Sequence, residues 1–362
     1  MKKERLEQYD FVRAISCLGI VMVHFVCEYQ GCSPFLARLL QSKYALTGLL
    51  FVTCFFMLSG GMLYYRYPEI HSLKSFYKKR AESIYPAFYI CFLTVFLMRA
   101  VKWRFFFYNG TAVNPATLLL SVLGLDGYFL YAIPNYYICG EWFLGAIILL
   151  YLLYPYLLYG FQKAPWPWFF LHTLVFLIVC SGQYFTVAQE RTLLVCLYRF
   201  YLGMVLIKYR SKYENLPAFL ISLVMTAFLV HGVLPRVSSP FVYTLLRVAI
   251  ISIPLFVLLA NMGIYLMKLR LIRRIVRFIS DLSYYIFLTH HVIIFHLYAV
   301  YYPETRGEKL LSFVLVISCT LSCSMLLKKV TELLMRSSFM AALRRGFTTP
   351  EEETKTETLI IK

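Results

Sequence analysis

Charged residues are scarce in this sequence. They make up 15% of its 362 residues, against about a quarter in a soluble domain, and 60% of the residues are hydrophobic. The sequence also lacks a Walker loop, a G-x-G-x-x-G and an H-E-x-x-H, the short motifs that mark nucleotide-binding loops and zinc proteases. These absences argue against an ordinary soluble enzyme and indicate a membrane protein.

The sequence also lacks closely spaced cysteines of the kind that bind metals or form redox motifs. The ten cysteines are scattered, mostly through apolar runs, without a C-x-x-C or a metal-ligand spacing. We therefore expect most of them to be small buried side chains, and we expect no metal. Cys32 and Cys139 both fall in predicted outer loops, where the two could form a disulfide.

Basic residues outnumber acidic ones by 36 to 18, which gives a formal net charge of +18. The Lys and Arg residues cluster in short loops between apolar runs, as in membrane proteins and unlike a nucleic-acid-binding groove. With the N-terminus inside, 24 of them fall in inner segments and 8 in outer ones. This bias predicts that both termini lie in the cytoplasm and that the chain binds no nucleic acid.

Apolar runs of roughly spanning length occur ten times. They lie at 11–29, 46–65, 84–101, 141–160, 166–181, 193–207, 216–231, 241–262, 279–301 and 309–327. The sequence thus predicts an all-α integral membrane protein, a bundle of about ten transmembrane helices in the cell (inner) membrane. Residues 1–330 would form this domain and 331–362 a cytoplasmic tail, disordered at its end. A broken apolar stretch, 115–134, is expected to be interfacial or re-entrant.

Arg13 and His24 stand eleven positions apart in the first apolar run. Eleven positions of an α-helix turn about 1100°, about 20° more than three full turns, so the two residues share one face and lie roughly 16 Å apart along the axis. Ionisable residues inside membrane segments are costly and usually functional. We therefore expect this pair to mark the functional site, with Arg13 near the cytoplasmic mouth and His24 near mid-depth.

Four further groups of residues combine small, aromatic and ionisable side chains. They are Phe55-Phe56-Met57-Leu58-Ser59-Gly60-Gly61, Phe76-Tyr77-Lys78-Lys79-Arg80 followed by Ile84-Tyr85-Pro86, Gly140-Glu141-Trp142-Phe143-Leu144, and the segment from Ser280 to His291.

Together with Arg13 and His24, these groups resemble the acyltransferase-3 family of integral membrane acyltransferases, over about residues 5–330. The most specific element is D-x-x-R-x(10)-H, present as Asp10, Arg13 and His24. It is followed, in the family's order, by F-F-x-L-S-G, by K/R-R before an I-x-P, and by S-Y-x-I-x-L-x-H. Each motif alone is weak, whereas four in order across ten apolar runs are specific.

The resemblance implies a ten-helix bundle that takes an acyl group, usually acetyl, from acyl-CoA and passes it to a hydroxyl of a cell-surface or lipid-linked glycan. It also implies that Arg13 and His24 are essential. One family subgroup carries a glutamate shortly after the tryptophan of the fourth span, but here Trp142 is followed by Phe143-Leu144-Gly145-Ala146-Ile147. That pattern is closer to a branch tied to exopolysaccharide modification, which includes proteins once interpreted as exporters, so the acceptor stays open.

Histidine suits the removal of a proton from the attacking hydroxyl, because its ordinary pKa lies near working pH. We expect His24 to be this base or a transient acyl carrier, the alternative being a histidine hydrogen-bonded within the bundle. Arg13 is expected to hold a CoA phosphate, or else to reach lipid phosphates. Arg80 and Lys79 are expected to be further CoA contacts, or else ordinary cytoplasmic charges.

Trp142, Glu141, Ser59 and His290 are the candidates for contact with the acceptor. Their alternatives are an interfacial aromatic belt for Trp142 and Glu141, close helix packing for Ser59, and stabilisation of the site for His290. His290 is preferred over His291, which should point about 100° away on a helix.

Asp10 is expected to cap its helix and, less so, to pair with Arg13.

The predicted function is thus a membrane O-acetyltransferase that uses acetyl-CoA as its donor among membrane lipids. The alternative is an exopolysaccharide translocase or exporter on the same bundle, and a third possibility is an assembly partner of a synthase.

Overall fold

The computed structural model describes residues 4–28, 44–103, 107–108, 111–182, 184–230 and 240–337. Within these ranges the chain is almost entirely helical. Cys32 and the end of the predicted tail lie outside the described residues. Cys139 is buried and carries a free thiol.

Twelve α-helices occur in the described ranges. They are α1 (Glu7–Glu28), α2 (Tyr44–Arg66), α3 (Leu73–Trp103), α4 (Leu118–Val122), α5 (Asp126–Phe129), α6 (Glu141–Lys163), α7 (Pro165–Ser181), α8 (Leu193–Lys208), α9 (Leu216–Val230), α10 (Pro240–Leu266), α11 (Arg270–Val300) and α12 (Arg306–Arg336). Two antiparallel strands of two residues each, β1 (Phe107–Tyr108) and β2 (Thr111–Ala112), pair Phe107 with Ala112 and Tyr108 with Thr111.

A helix occupies each of the ten apolar runs. Seven of the helices in the described part are long and apolar enough to cross a membrane, whereas α7, α8 and α9 have only 17, 16 and 15 residues. The chain is therefore a multi-pass, helical membrane protein. The number of ten spans and the side of each terminus stay predictions.

The segment between α3 and α6 holds only short elements, namely the strand pair, α4, α5 and a 3₁₀ turn at Pro115–Thr117. It lies against the bundle. The hydroxyls of Tyr85 and Tyr89 on α3 donate to the carbonyls of Leu123 (3.0 Å) and Val122 (2.6 Å). These contacts fix the segment that leads into Glu141.

The crossing of α2 and α8 is very close because glycines line it. A Cβ added to Gly60 would lie 2.0 Å from the carbonyl oxygen of Phe200, and one added to Gly203 would lie 2.0 Å from that of Met57. No side chain fits between backbones at this separation, so the glycines let the two helices touch directly.

Helices α1 and α11 run parallel and in register. Near the N-terminal end of α1, the Arg5 guanidinium lies 2.8 Å from the carboxylate of Asp281 on α11, and Arg13 reaches Ser280. Eleven residues further along each helix, the ring of His24 lies against that of His291. The pairing puts both ends of the Arg13–His24 face against one neighbouring helix.

Candidate active site

The N-terminal end of the Arg13–His24 face is an ionic cluster around Asp10. This carboxylate is 5% exposed, accepts a hydrogen bond from the Ser280 hydroxyl (2.7 Å) and forms an ion pair with Arg5. Arg13 Nη1 lies 3.6 Å from Asp10 Oδ1 and 3.4 Å from Ser280 Oγ. The expected cap role of Asp10 is wrong, because α1 begins three residues earlier at Glu7.

The other end of the face is a cluster of three histidines. The ring centroid of His24 lies 5.2 Å from that of His290 and 5.0 Å from that of His291. His24 is half-buried and His290 is 1% exposed. The cluster adjoins Glu141, the first residue of α6, and the depth of His24 in the membrane stays a prediction.

The tautomer of His290 can be assigned from its hydrogen bonds. Its Nδ1 lies 3.0 Å from the carbonyl oxygen of Ile286 and 2.9 Å from that of Phe287. Because carbonyls only accept, Nδ1 carries the proton and Nε2 presents a lone pair. That Nε2 is buried and has no hydrogen-bond partner within the described part of the chain.

Glu141 joins the histidine cluster from α6. Its Oε1 lies 2.7 Å from His291 Nδ1 and accepts a hydrogen bond from the Tyr137 hydroxyl (2.9 Å). Burial, followed by the nearby charge of Glu141, raises the pKa of Tyr137 well above its usual range. Tyr137 therefore keeps its proton and remains a donor to the carboxylate.

Arg80 lies on α3 between two tyrosines. Its Nη2 donates to the hydroxyl of Tyr67 (3.2 Å), and its guanidinium carbon lies 5.1 Å from the Tyr67 ring and 5.8 Å from that of Tyr151. Arg80 is therefore held beside two aromatic rings, while its neighbour Lys79 is exposed.

Trp142 and Ser59 have their described contacts with residues other than the three histidines. Trp142 is half-buried, with its ring 6.1 Å from that of Phe56 and 5.6 Å from the guanidinium of Arg191. Ser59 is half-buried on α2, directly before the glycines that touch α8. Their contact with an acceptor stays a prediction.

Sequence reasoning missed one histidine of the cluster and the tyrosine that binds Glu141 beside it. His291 was expected to point away, yet its ring is as close to His24 as that of His290. Tyr137 was not noticed, since it is one of 30 tyrosines and only the turn into α6 brings it to Glu141. The adjacent pair of histidines in the sequence was the one available signal for His291.

Among the described residues, no three His, Cys, Asp or Glu side chains are grouped so that they could hold a metal ion. Searches of curated proteins and of solved structures find no match to the chain. The family model described as an acyltransferase domain matches residues 6–329, nearly the whole sequence. The chain therefore belongs to the acyltransferase-3 family of membrane acyltransferases.

Proposed function

We propose that the protein transfers an acetyl group from acetyl-CoA to a hydroxyl of a cell-surface or lipid-linked glycan, at the inner membrane. The acceptor oxygen attacks the thioester carbonyl, a C–O bond forms and the C–S bond breaks. His24 takes the hydroxyl proton as a general base and returns it to the CoA thiolate, so that CoA leaves as a thiol.

The observation that carries this proposal is the histidine cluster, which lies at one end of a face that has a fixed arginine at the other. Arg13 and His24 are separated by roughly 16 Å of helix, so an extended donor arm can join a phosphate at Arg13 to a thioester at His24. The cluster brings together groups that acyl transfer can use, namely three imidazole rings and a neighbouring carboxylate.

The donor would be bound by Arg13, Arg80 and Lys79. Guanidinium groups bind phosphate through paired hydrogen bonds, and the guanidinium of Arg80 is held against the Tyr151 ring. On the acceptor side, Trp142, Glu141, Ser59 and His290 are the proposed contacts. The Trp142 ring would stack on a sugar, and the free Nε2 of His290 would accept a hydrogen bond from a hydroxyl.

The direct test uses membranes that contain either the wild-type protein or the His24→Ala variant. Each is given labelled acetyl-CoA and a panel of candidate glycans, and the label on the glycan is counted. We expect the wild-type protein to label an acceptor and His24→Ala to lose at least about 100-fold of that activity, because general-base catalysis contributes this much.

His172→Ala is the matched control. His172 is also half-buried in a helix, but it stacks on Tyr201 and lies on α7, so this variant should label the acceptor normally. Equal labelling by His24→Ala would contradict the assignment of His24. Wild-type membranes that label nothing would favour the alternative of a glycan translocase.

A further inference from the structure

The carboxylate of Glu141 is held at the histidine cluster by two side chains at once. His291 Nδ1 lies 2.7 Å from Oε1, and the Tyr137 hydroxyl donates to the same oxygen at 2.9 Å. The side chains of Glu141 and His291 are 17% and 30% exposed. A carboxylate this far from solvent interacts strongly with a positive charge beside it.

The backbone at Glu141 adopts a conformation that ordinary residues rarely use. Its φ is +47°, and Gly140 before it has a φ of +92°. Within the described ranges, Glu141 is the one residue other than glycine with a positive φ. Such a conformation persists only where the surrounding structure enforces it, and it is concentrated at functional sites.

Gly127 supplies part of that enforcement. A Cβ on this residue would lie 2.7 Å from the carbonyl carbon and oxygen of Glu141, so only glycine lets α5 approach the start of α6 this closely. The next residue back, Asp126, is 1% exposed. Its carboxylate accepts hydrogen bonds from the Ser121 hydroxyl and the Gly127 amide, both at 2.9 Å.

Asn135 links this turn to Tyr137. It is fully buried, its Nδ2 donates to the carbonyl of Asp126 (2.9 Å), and its Oδ1 accepts from the Tyr137 amide (3.0 Å). Burial raises the pKa of Asp126 to about 6, although the hydrogen bonds from the Gly127 amide and the Ser121 hydroxyl act in the opposite direction. A polar network in the interior thus runs from α4 to the hydroxyl that holds Glu141.

We propose that Glu141 is a positioning residue for acyl transfer: it orients His291 against His24 and supplies the counter-charge for the imidazolium that forms there. The proposal rests on the proposed function. When His24 takes the acceptor proton, one positive charge appears among His24, His290 and His291. Tyr137 faces this group as a neutral donor and Glu141 as the anion. The charge disappears when the proton passes to the departing CoA thiolate.

The mechanism explains why the carboxylate is fixed before the reaction begins. A preorganised charge in a site with little water stabilises the developing imidazolium without any reorganisation at the moment of transfer. The 2.7 Å contact with the Glu141 carboxylate fixes Nδ1 of His291 as a hydrogen-bond donor and so orients the ring.

The test measures kcat and KM for acetyl-CoA with Glu141→Gln and Glu141→Asp, using the glycan that the wild-type protein labels. Glutamine keeps the size of the side chain and its hydrogen bonding but removes the charge, so kcat should fall by about 100-fold or more while KM changes little. Aspartate restores the charge and should recover part of kcat. Tyr137→Phe should give a smaller loss of kcat.

Glu190→Gln is the matched control. The Glu190 side chain is exposed to a similar extent, 18%, and its ion pair in the described part of the chain is with Arg191, at 3.9 Å. The kcat of Glu190→Gln should therefore be unchanged. A Glu141→Gln variant with the kcat of the wild type would overturn the proposal, as would equal losses in Glu141→Gln and Glu190→Gln. An inactive wild-type protein would instead refute the proposed function.

Discussion

At the scale of single residues, Arg13 depends on a partner 267 positions away in the sequence. Ser280 of α11 contacts both Arg13 and the Asp10 carboxylate, so the guanidinium is held by two helices. Neighbouring acceptors limit the rotamers of a long side chain before a ligand arrives, which reduces the entropy lost on binding.

Arg13→Lys should therefore weaken the use of acetyl-CoA. Lysine keeps the positive charge but loses the planar fork that binds phosphate through two hydrogen bonds. We expect KM for acetyl-CoA to rise about 10-fold, equivalent to about 1.4 kcal/mol, with a smaller change in kcat. The same substitution at Arg270, which is exposed at the start of α11, should leave KM unaltered. A normal KM in Arg13→Lys would remove its role in donor binding.

The sequence predicted which residues share one face of α1 but not which residues of other helices they contact. Helical periodicity places Arg13 and His24 together, because it depends on α1 alone. The same rule misjudged His291, since the ring of His24 lies close to both neighbouring positions on α11 and a 100° turn does not remove either one. The contact of Glu141 depends on the positive φ of two successive residues, which composition does not indicate.

At the scale of helices, apolarity located every long helix but not its ends. Helix α3 begins at Leu73, eleven residues before the apolar run at 84–101, and α11 begins at Arg270, nine before the run at 279–301. Charged residues end an apolar run in the sequence, but the helix continues past them, because its backbone hydrogen bonds form equally well outside the lipid. Helix α12 likewise extends to Arg336, nine residues past the apolar run at 309–327.

The crossing of α2 and α8 should not tolerate a methyl group. In Gly203→Ala the new Cβ would lie 2.0 Å from a backbone carbonyl oxygen of α2, and backbone cannot move aside as a side chain does. We expect a loss of roughly 1–3 kcal/mol in the free energy of unfolding, measured as a lower melting temperature in detergent.

Gly307→Ala provides the comparison for that experiment. Gly307 is also helical, but nothing lies within 4 Å of the position of its Cβ. Alanine favours a helix over glycine by up to about 1 kcal/mol, so this variant should melt at the same temperature or slightly higher. If Gly203→Ala were equally stable, the close contact between α2 and α8 would be wrong.

At the scale of the whole molecule, the sequence predicted a helical membrane bundle, because the hydropathy of each apolar run can be assessed without knowing what the run contacts. It did not predict which helices touch. The parallel pairing of α1 with α11 joins the first and ninth apolar runs, and it is set by tertiary packing, ionic contacts and the intervening helices together.

The basic loops make a prediction about sidedness. Green fluorescent protein fused after Ser337 should fluoresce, because it folds inside the cell, and alkaline phosphatase fused after Tyr302 should be active, because it folds outside. The two fusion points flank α12. Active phosphatase after Ser337 would place the C-terminal end of α12 on the outer side and reverse the predicted topology.

The equal spacing on α1 and α11 has a consequence for how this chain can vary. Arg13 and His24 are eleven residues apart, and so are Ser280 and His291. One residue inserted between Arg13 and His24 would turn the histidine by about 100° and move it by about 1.5 Å, while Arg13 kept its partners. Such a chain would bind the donor at Arg13 without transferring its acyl group. The residues between these paired positions can therefore be replaced, but their number cannot change.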